Sequence, residues 1–191
     1  MPNAAALIRA ARSSRRLTQK QLADRAQLDQ GSVSRVEHGR DATFATVDRL
    51  LAGAGHRLYS APSRRDDAAT IAVKIREQLR RGDRDRALRA LIQLNDNLVA
   101  EHGLVRGVLG LAEPESTKDP VWDAAIAGLV AWRLGEEAIP LPAWVDDPRR
   151  FHPEPRTLEV DPADPVPPPS EVPTEFLRRN ILIWRDTFES I

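Results

Sequence analysis

The chain has 191 residues, with 28 basic and 28 acidic side chains, four histidines and no cysteine. A length of this order suits one domain, or a small domain with an appendage, and the absence of cysteine excludes a disulfide scaffold, a thiolate metal site, an iron–sulfur cluster and a cysteine nucleophile. No apolar run approaches the ~20 residues that cross a bilayer, and the opening MPNAAALIRAARSSRR has no signal-peptide pattern, so a soluble cytoplasmic protein without a membrane partner is expected.

The zero net charge conceals an asymmetry. Residues 1–65 carry 12 Arg and Lys against 5 Asp and Glu, a balance of +7, whereas residues 66–150 and 151–191 come to −3 and −4. A basic first third suggests that this part meets a polyanion.

In chain order, Ala4 to Ser14 reads as a helix with Leu7, Ile8 and Ala11 on one face. Thr18 stands at an N-cap position with Gln21 three residues on, the capping-box arrangement, and opens a second helix from Gln19 to Ala26. Gln27-Leu28 makes a short turn. Asp29 caps a third helix from Gln30 to Glu37, with Val33 and Val36 pointing inward, and Gly39 is placed for a left-handed C-terminal cap. Thr43 or Thr46 opens a fourth helix carrying Val47, Leu50, Leu51 and Ala54. His56 to Ser60 then reads as a short strand before Pro62.

Two short helices joined by a tight turn and flanked by helices describe a helix-turn-helix. The run from Leu17-Thr18-Gln19-Lys20-Gln21-Leu22-Ala23 to Ser32-Val33-Ser34-Arg35-Val36-Glu37-His38-Gly39-Arg40 resembles the Cro/cI-type (XRE) helix-turn-helix family of phage repressors and bacterial antitoxins, over residues 4–60. The sequence departs from the pattern at the turn, where Gln27 replaces the usual Gly, and at Gly31, where a base-reading side chain is missing.

The resemblance implies a lambda-repressor-like domain whose third helix enters the major groove of double-stranded operator DNA, its first turn aimed at base edges. Gln30, Gly31, Ser34 and Arg35 share the face opposite Val33 and Val36. Gln30 suits adenine, and Arg35 suits guanine O6 and N7. Gln19 stands where family members contact a phosphate, and Lys20, Arg40, Thr43 and Thr46 are further candidates for backbone contact. The resemblance also implies an ion pair between Arg12 and Glu37 that fixes the first helix to the third. Relatives bind as dimers on half-sites ~34 Å apart, so a homodimer is expected. The strand-like His56–Ser60 run suits pairing either across such a dimer or within the chain with Asn180–Trp184.

Beyond residue 62 the pattern stays helical. Asp66 to Arg81 and Asp83 to His102 read as an amphipathic hairpin, with Gly82 and Gly103 as stops. A short segment from Leu104 to Leu111 follows. Asp119 then caps a helix that begins at Pro120, a favoured place for proline, and runs to Leu134. Eleven of the fifteen prolines lie between Pro140 and Pro173, which favours extended backbone. Trp144, Phe151, Phe176 and Trp184 punctuate this stretch, so it reads as a strap across the helical domain or a partner, with a short strand near its end. These four aromatics are candidates for partner binding, since large aromatics are costly to leave wet.

The expected architecture is therefore all-α: a helix-turn-helix domain over 1–62, a helical domain over 63–139, and a Pro-rich arm over 140–191. His38, His56, His102 and His152 lack metal-ligand spacing. Asp83 and Asp85 are surrounded by arginines, and no catalytic or phosphate-cradling motif is present, so neither an enzyme nor a cofactor is expected. The functional expectation is a sequence-specific repressor that is also the antitoxin of a toxin–antitoxin pair and grips its protein toxin through the C-terminal region. The alternative is a stand-alone regulator whose helical domain dimerises or senses a ligand. A pure adaptor that has lost DNA binding fits poorly with the +7 balance.

Overall fold

The computed structural model describes residues 4–58, 64–158 and 163–189. The chain forms two compact units, 1–62 and 63–191. Helices dominate both, and the described strands amount to one two-stranded pair, so the molecule is all-α as expected.

The first unit holds α1 (Ala4–Ser14), α2 (Gln19–Ala26), α3 (Gln30–Glu37) and α4 (Phe44–Gly53). Local chemistry sets the boundaries. Thr18 Oγ1 accepts from the Gln21 amide while Gln21 Oε1 accepts from the Thr18 amide, which closes the capping box. Gln27 takes the left-handed conformation at φ 54° and ψ 46°, so the turn is made without glycine. Asp29 and Thr43 cap α3 and α4, and Gly39 adopts φ 94° just beyond α3. Ile8, Leu22, Val33, Val36, Leu50 and Leu51 are buried together in one core.

The strand expected at His56–Ser60 is not formed over its described part: His56, Arg57 and Leu58 carry no strand. His56 follows a turn in which its amide donates to Leu51 O and its Nδ1 lies 3.0 Å from Ala54 O, so the segment closes α4 instead of extending from it. Tyr59, Ser60, Pro62 and Ser63 lie outside the described residues.

The second unit begins with α5 (Ala68–Arg80) and α6 (Arg84–Ala100), packed as the expected hairpin and capped by Asp67 and Asp83. The segment after Gly103 is a helix in its own right, α7 (Gly103–Leu111), followed by α8 (Pro120–Gly135). Val73 of α5 and Val99 of α6 are exposed.

α8 is buried on every side. Trp122, Ala125, Ile126, Leu129, Val130 and Leu134 are inaccessible, and so are Ala124 and Ala127 on the opposite face. A helix apolar all round needs a cover on both faces. Helices α5, α6 and α7 supply one. The chain after residue 140 supplies the other through the 3₁₀ turns Ala143–Asp146 and Pro148–Arg150, α9 (Thr174–Leu177), and β2 (Ile181–Leu182). Residues on both sides of position 140 thus contribute to one hydrophobic core, which includes Trp144, Val145, Val172, Phe176, Ile181 and Phe188.

The extended backbone expected from the prolines is seen at Pro168, at φ −65° and ψ 151°, and residues 165–168 carry neither helix nor strand, while Pro148–Arg150 and Pro169–Glu171 fold into 3₁₀ turns. Asp161 and Pro162 lie outside the described residues. The strand expected at Asn180–Trp184 is present as Ile181–Leu182. It pairs in parallel with β1 (Arg156–Thr157), in register Arg156↔Ile181 and Thr157↔Leu182, a partner that neither sequence alternative had named.

Asp147 shows how the arm is pinned at its start. Its carboxylate caps the turn by accepting from the Arg149 amide at 2.9 Å and receives the Arg149 guanidinium at 2.8–2.9 Å. Hydrogen bonding from the Arg149 side chain is the main cause that lowers its pKa from 3.8 to about 2. A carboxylate with a depressed folded-state pKa adds stability that is complete above its unfolded value and is lost as pH falls through the folded one. Between about pH 4 and pH 2 the wild type should therefore lose slightly more stability than Asp147→Asn, whose amide retains a cap acceptor. The difference should be small because Arg149 is largely solvent-exposed. Urea midpoints of both proteins across that pH range would measure it.

Candidate nucleic-acid interface

The helix-turn-helix is held at its base by one polar knot. Arg12 Nε donates to Glu37 Oε1 at 2.6 Å, its Nη2 to Oε2 at 3.1 Å, and its Nη1 to Leu17 O at 2.9 Å. Glu37 is only 4% exposed. The expected Arg12–Glu37 pair is therefore formed, and it ties α1, the α1–α2 turn and α3 together.

Gln19 joins the same knot, its Nε2 donating to Glu37 Oε2 at 2.8 Å. An amide nitrogen carries two hydrogens, so the bond to Glu37 uses one of them. A second clamp was not read from the sequence: Arg49 of α4 donates to Ala26 O at 2.9 Å and Gln27 O at 2.8 Å. It satisfies carbonyls at the end of α2, where a cation also complements the helix dipole. The contact spans 22–23 residues, so no local pattern announces it. Gly53 lets α4 approach closely, since a Cβ there would stand 3.1 Å from the Ala26 nitrogen.

These contacts leave one face of α3 open. Gln30 and Arg35 are exposed, and Gly31 and Ser34 are half-buried, while Val33 and Val36 are buried on the other side. The four residues expected to read bases thus share one accessible face. Ser34 has His38 beside it, whose Nδ1 lies 2.7 Å from Ser34 O.

Arg35 lies back across the first turn of its helix. Its Nη2 donates to Ser32 Oγ at 2.9 Å and stands 3.7 Å from Asp29 Oδ1. Ser32 in turn gives its hydroxyl hydrogen and its amide hydrogen to the Asp29 carboxylate, and these bonds, the hydroxyl first, lower the Asp29 pKa. Around this face, Lys20 and Arg40 are exposed. Thr43 and Thr46 lie at the start of α4 with their hydroxyls 2.9 Å apart, so Thr43 both caps the helix and contacts Thr46.

The four aromatics of the arm fare differently. Phe176 is fully buried against Gly128 and stacks on Phe188 at 5.4 Å. Trp144 is buried, with its Nε1 donating to Gly110 O at 3.0 Å. Trp184 is half-buried and donates to Pro165 O at 3.1 Å. Phe151 is 38% exposed, with the Arg179 guanidinium 4.8 Å from its ring centre. Only Phe151 and Trp184 offer surface while the unit is folded.

Asp83 caps α6 and Asp85 pairs with Arg89. Among the described residues no group of three or more His, Asp or Glu could hold a metal ion, and no helix is long and apolar enough to cross a membrane. Neither a curated protein nor a solved structure matches the chain. A scan of family models does find a match: residues 4–56, the stretch that carries the open α3 face and the knot beneath it, match the family described as a helix-turn-helix domain, the kind that serves DNA-binding regulators.

Proposed function

We propose that the chain is a sequence-specific transcriptional repressor that binds double-stranded operator DNA as a homodimer, with α3 in the major groove. The observation that carries this reading is the geometry of α3. Its polar face (Gln30, Ser34, Arg35) is open, its apolar face is anchored by Val33 and Val36, and the surrounding unit is basic. In this reading Arg35 meets guanine and Gln30 meets adenine. Lys20, Arg40, the free amide hydrogen of Gln19, and the Thr43–Thr46 end of α4 take phosphates.

The test is a binding titration on duplex from upstream of the chain's own gene, against random duplex, over a range of salt. Specific binding should weaken steeply as salt rises. Arg35→Ala should cost about 1–3 kcal/mol and relax base preference, while Gln19→Ala should weaken all sequences alike. Equal loss on specific and random duplex for Arg35→Ala rejects its base-reading role.

The resemblance to antitoxins supports a further role, in which the same chain neutralises a protein toxin through its C-terminal region. The burial of Trp144 and Phe176 narrows the aromatic part of that surface to Phe151 and Trp184. Co-purification with the product of the adjoining reading frame, lost on Phe151→Ala with Trp184→Ala, would support it. A regulator that binds its operator but captures no such product fits the stand-alone reading.

A further inference from the structure

We propose that Gly31 and Asp29 determine which base pair α3 selects by aiming the Arg35 guanidinium, without either residue touching a base. The inference rests on the reading of α3 as the base-reading helix and adds a mechanism for its specificity.

Gly31 is the starting point. It occupies the second position of α3, where glycine is a poor helix former, and its φ is not in the left-handed range that would require glycine. Backbone conformation therefore gives no reason for it. Space does. A Cβ built on Gly31 would lie 3.0 Å from Asp29 Oδ1 and 3.1 Å from Arg35 Nη1. The guanidinium of Arg35 lies over the bare backbone of residue 31 to reach Ser32 Oγ and approach Asp29.

The far side of this cradle is held in place. Asp29 cannot swing freely, because one carboxylate oxygen caps the Ser32 amide and the other takes the Ser32 hydroxyl hydrogen. With its amide and hydroxyl hydrogens committed to Asp29, Ser32 presents its hydroxyl oxygen to Arg35 as an acceptor. One hydrogen of Nη2 is used there, which leaves Nε, both hydrogens of Nη1 and the second hydrogen of Nη2. Two of these are enough for the parallel bonds with which arginine takes guanine O6 and N7 together.

An exposed ion pair of this kind contributes little to folding. Its effect is to restrict a long side chain before binding, so that less freedom is lost when the base is met. Without the cradle, Arg35 still has its charge and its reach but not its direction.

Selection from a pool of randomised duplexes with the full chain tests this, comparing the wild type, Gly31→Ala, Asp29→Asn, Arg35→Ala and Gly31→Ala combined with Arg35→Ala, with Tm recorded for each. Gly31→Ala should keep or raise Tm, since alanine favours helix, yet lose roughly tenfold or more of the preference at one base pair, the range of a single bidentate contact. Asp29→Asn retains an N-cap side chain and should lose preference at the same base pair. In the Arg35→Ala background, Gly31→Ala should change nothing further.

Wild-type preference retained by either Gly31→Ala or Asp29→Asn overturns the inference. So does a uniform loss on all sequences for Gly31→Ala, which would mean that glycine serves only close approach to the duplex. A wild type that selects no sequence overturns the base-reading function and this inference with it, whereas a selective wild type matched by Gly31→Ala overturns this inference alone.

Discussion

Replacing Phe176 with alanine is expected to destabilise the second unit by about 3–5 kcal/mol, the range for removing a buried aromatic ring. The ring stacks on Phe188 with centroids 5.4 Å apart, meets Trp132 edge-on at 6.4 Å, and lies on the bare Cα of Gly128, where a Cβ would stand 3.2 Å from its Cγ. Gly128 has no side chain with which to fill the space, and its flanks belong to a regular helix. The loss should be felt across the arm, since Val172, Ile181 and Phe188 share the core with Phe176. Urea unfolding should give a lower midpoint, and limited proteolysis should open new cleavage sites between residues 140 and 189. An unchanged midpoint with unchanged proteolysis would mean that the arm does not depend on this ring.

Glu37→Ala should be comparably severe in the first unit. The carboxylate receives Arg12 through two nitrogens and Gln19 through a third, and it is almost wholly buried. Removing one member of a buried pair leaves the other uncompensated, at a cost of about 3–5 kcal/mol. For a unit of this size that corresponds to a fall in Tm of roughly 4–8 °C for each kcal/mol. Arg12→Ala should follow Glu37→Ala in direction. Hydrogen exchange at the buried Ile8 and Leu22 amides of the full chain would locate the change in α1 and α2. If Arg12→Ala left Tm unaltered and weakened DNA binding alone, Arg12 would be a phosphate contact instead.

Both effects differ in how far the sequence announces them. The Arg12–Glu37 pair was expected from a resemblance, because its spacing recurs with the motif. The partner of Phe176 had no such signal. Aromatics among prolines suggest burial somewhere, but nothing within a few residues of Phe176 says that a glycine in α8, some fifty residues earlier in the chain, is shaped to receive it. The same limit explains α7. Its glycines discourage a helix when read locally, yet Gly107 faces Ile139, and Gly110 lies against Val130 and Leu134 while accepting from Trp144. Arg106 is equally hidden from a local reading: it is buried and donates to the carbonyls of Val99, Glu101 and Arg133, which lie at or near the ends of α6 and α8.

The amino-acid sequence by itself determined the helices of the first unit, their caps at Thr18 and Asp29, a short turn at Gln27-Leu28 and the inward face of α3, while it left the start of α4 open between Thr43 and Thr46. Each depends on interactions within about four residues. Tertiary structure alone decided which polar groups remain free to act. Arg49 is committed to the end of α2, one amide hydrogen of Gln19 to Glu37, and Trp144 and Phe176 to the core. The reason is physical: a backbone propensity is a property of neighbours along the chain, but a hydrogen bond or a packing contact is made with whatever the fold brings near.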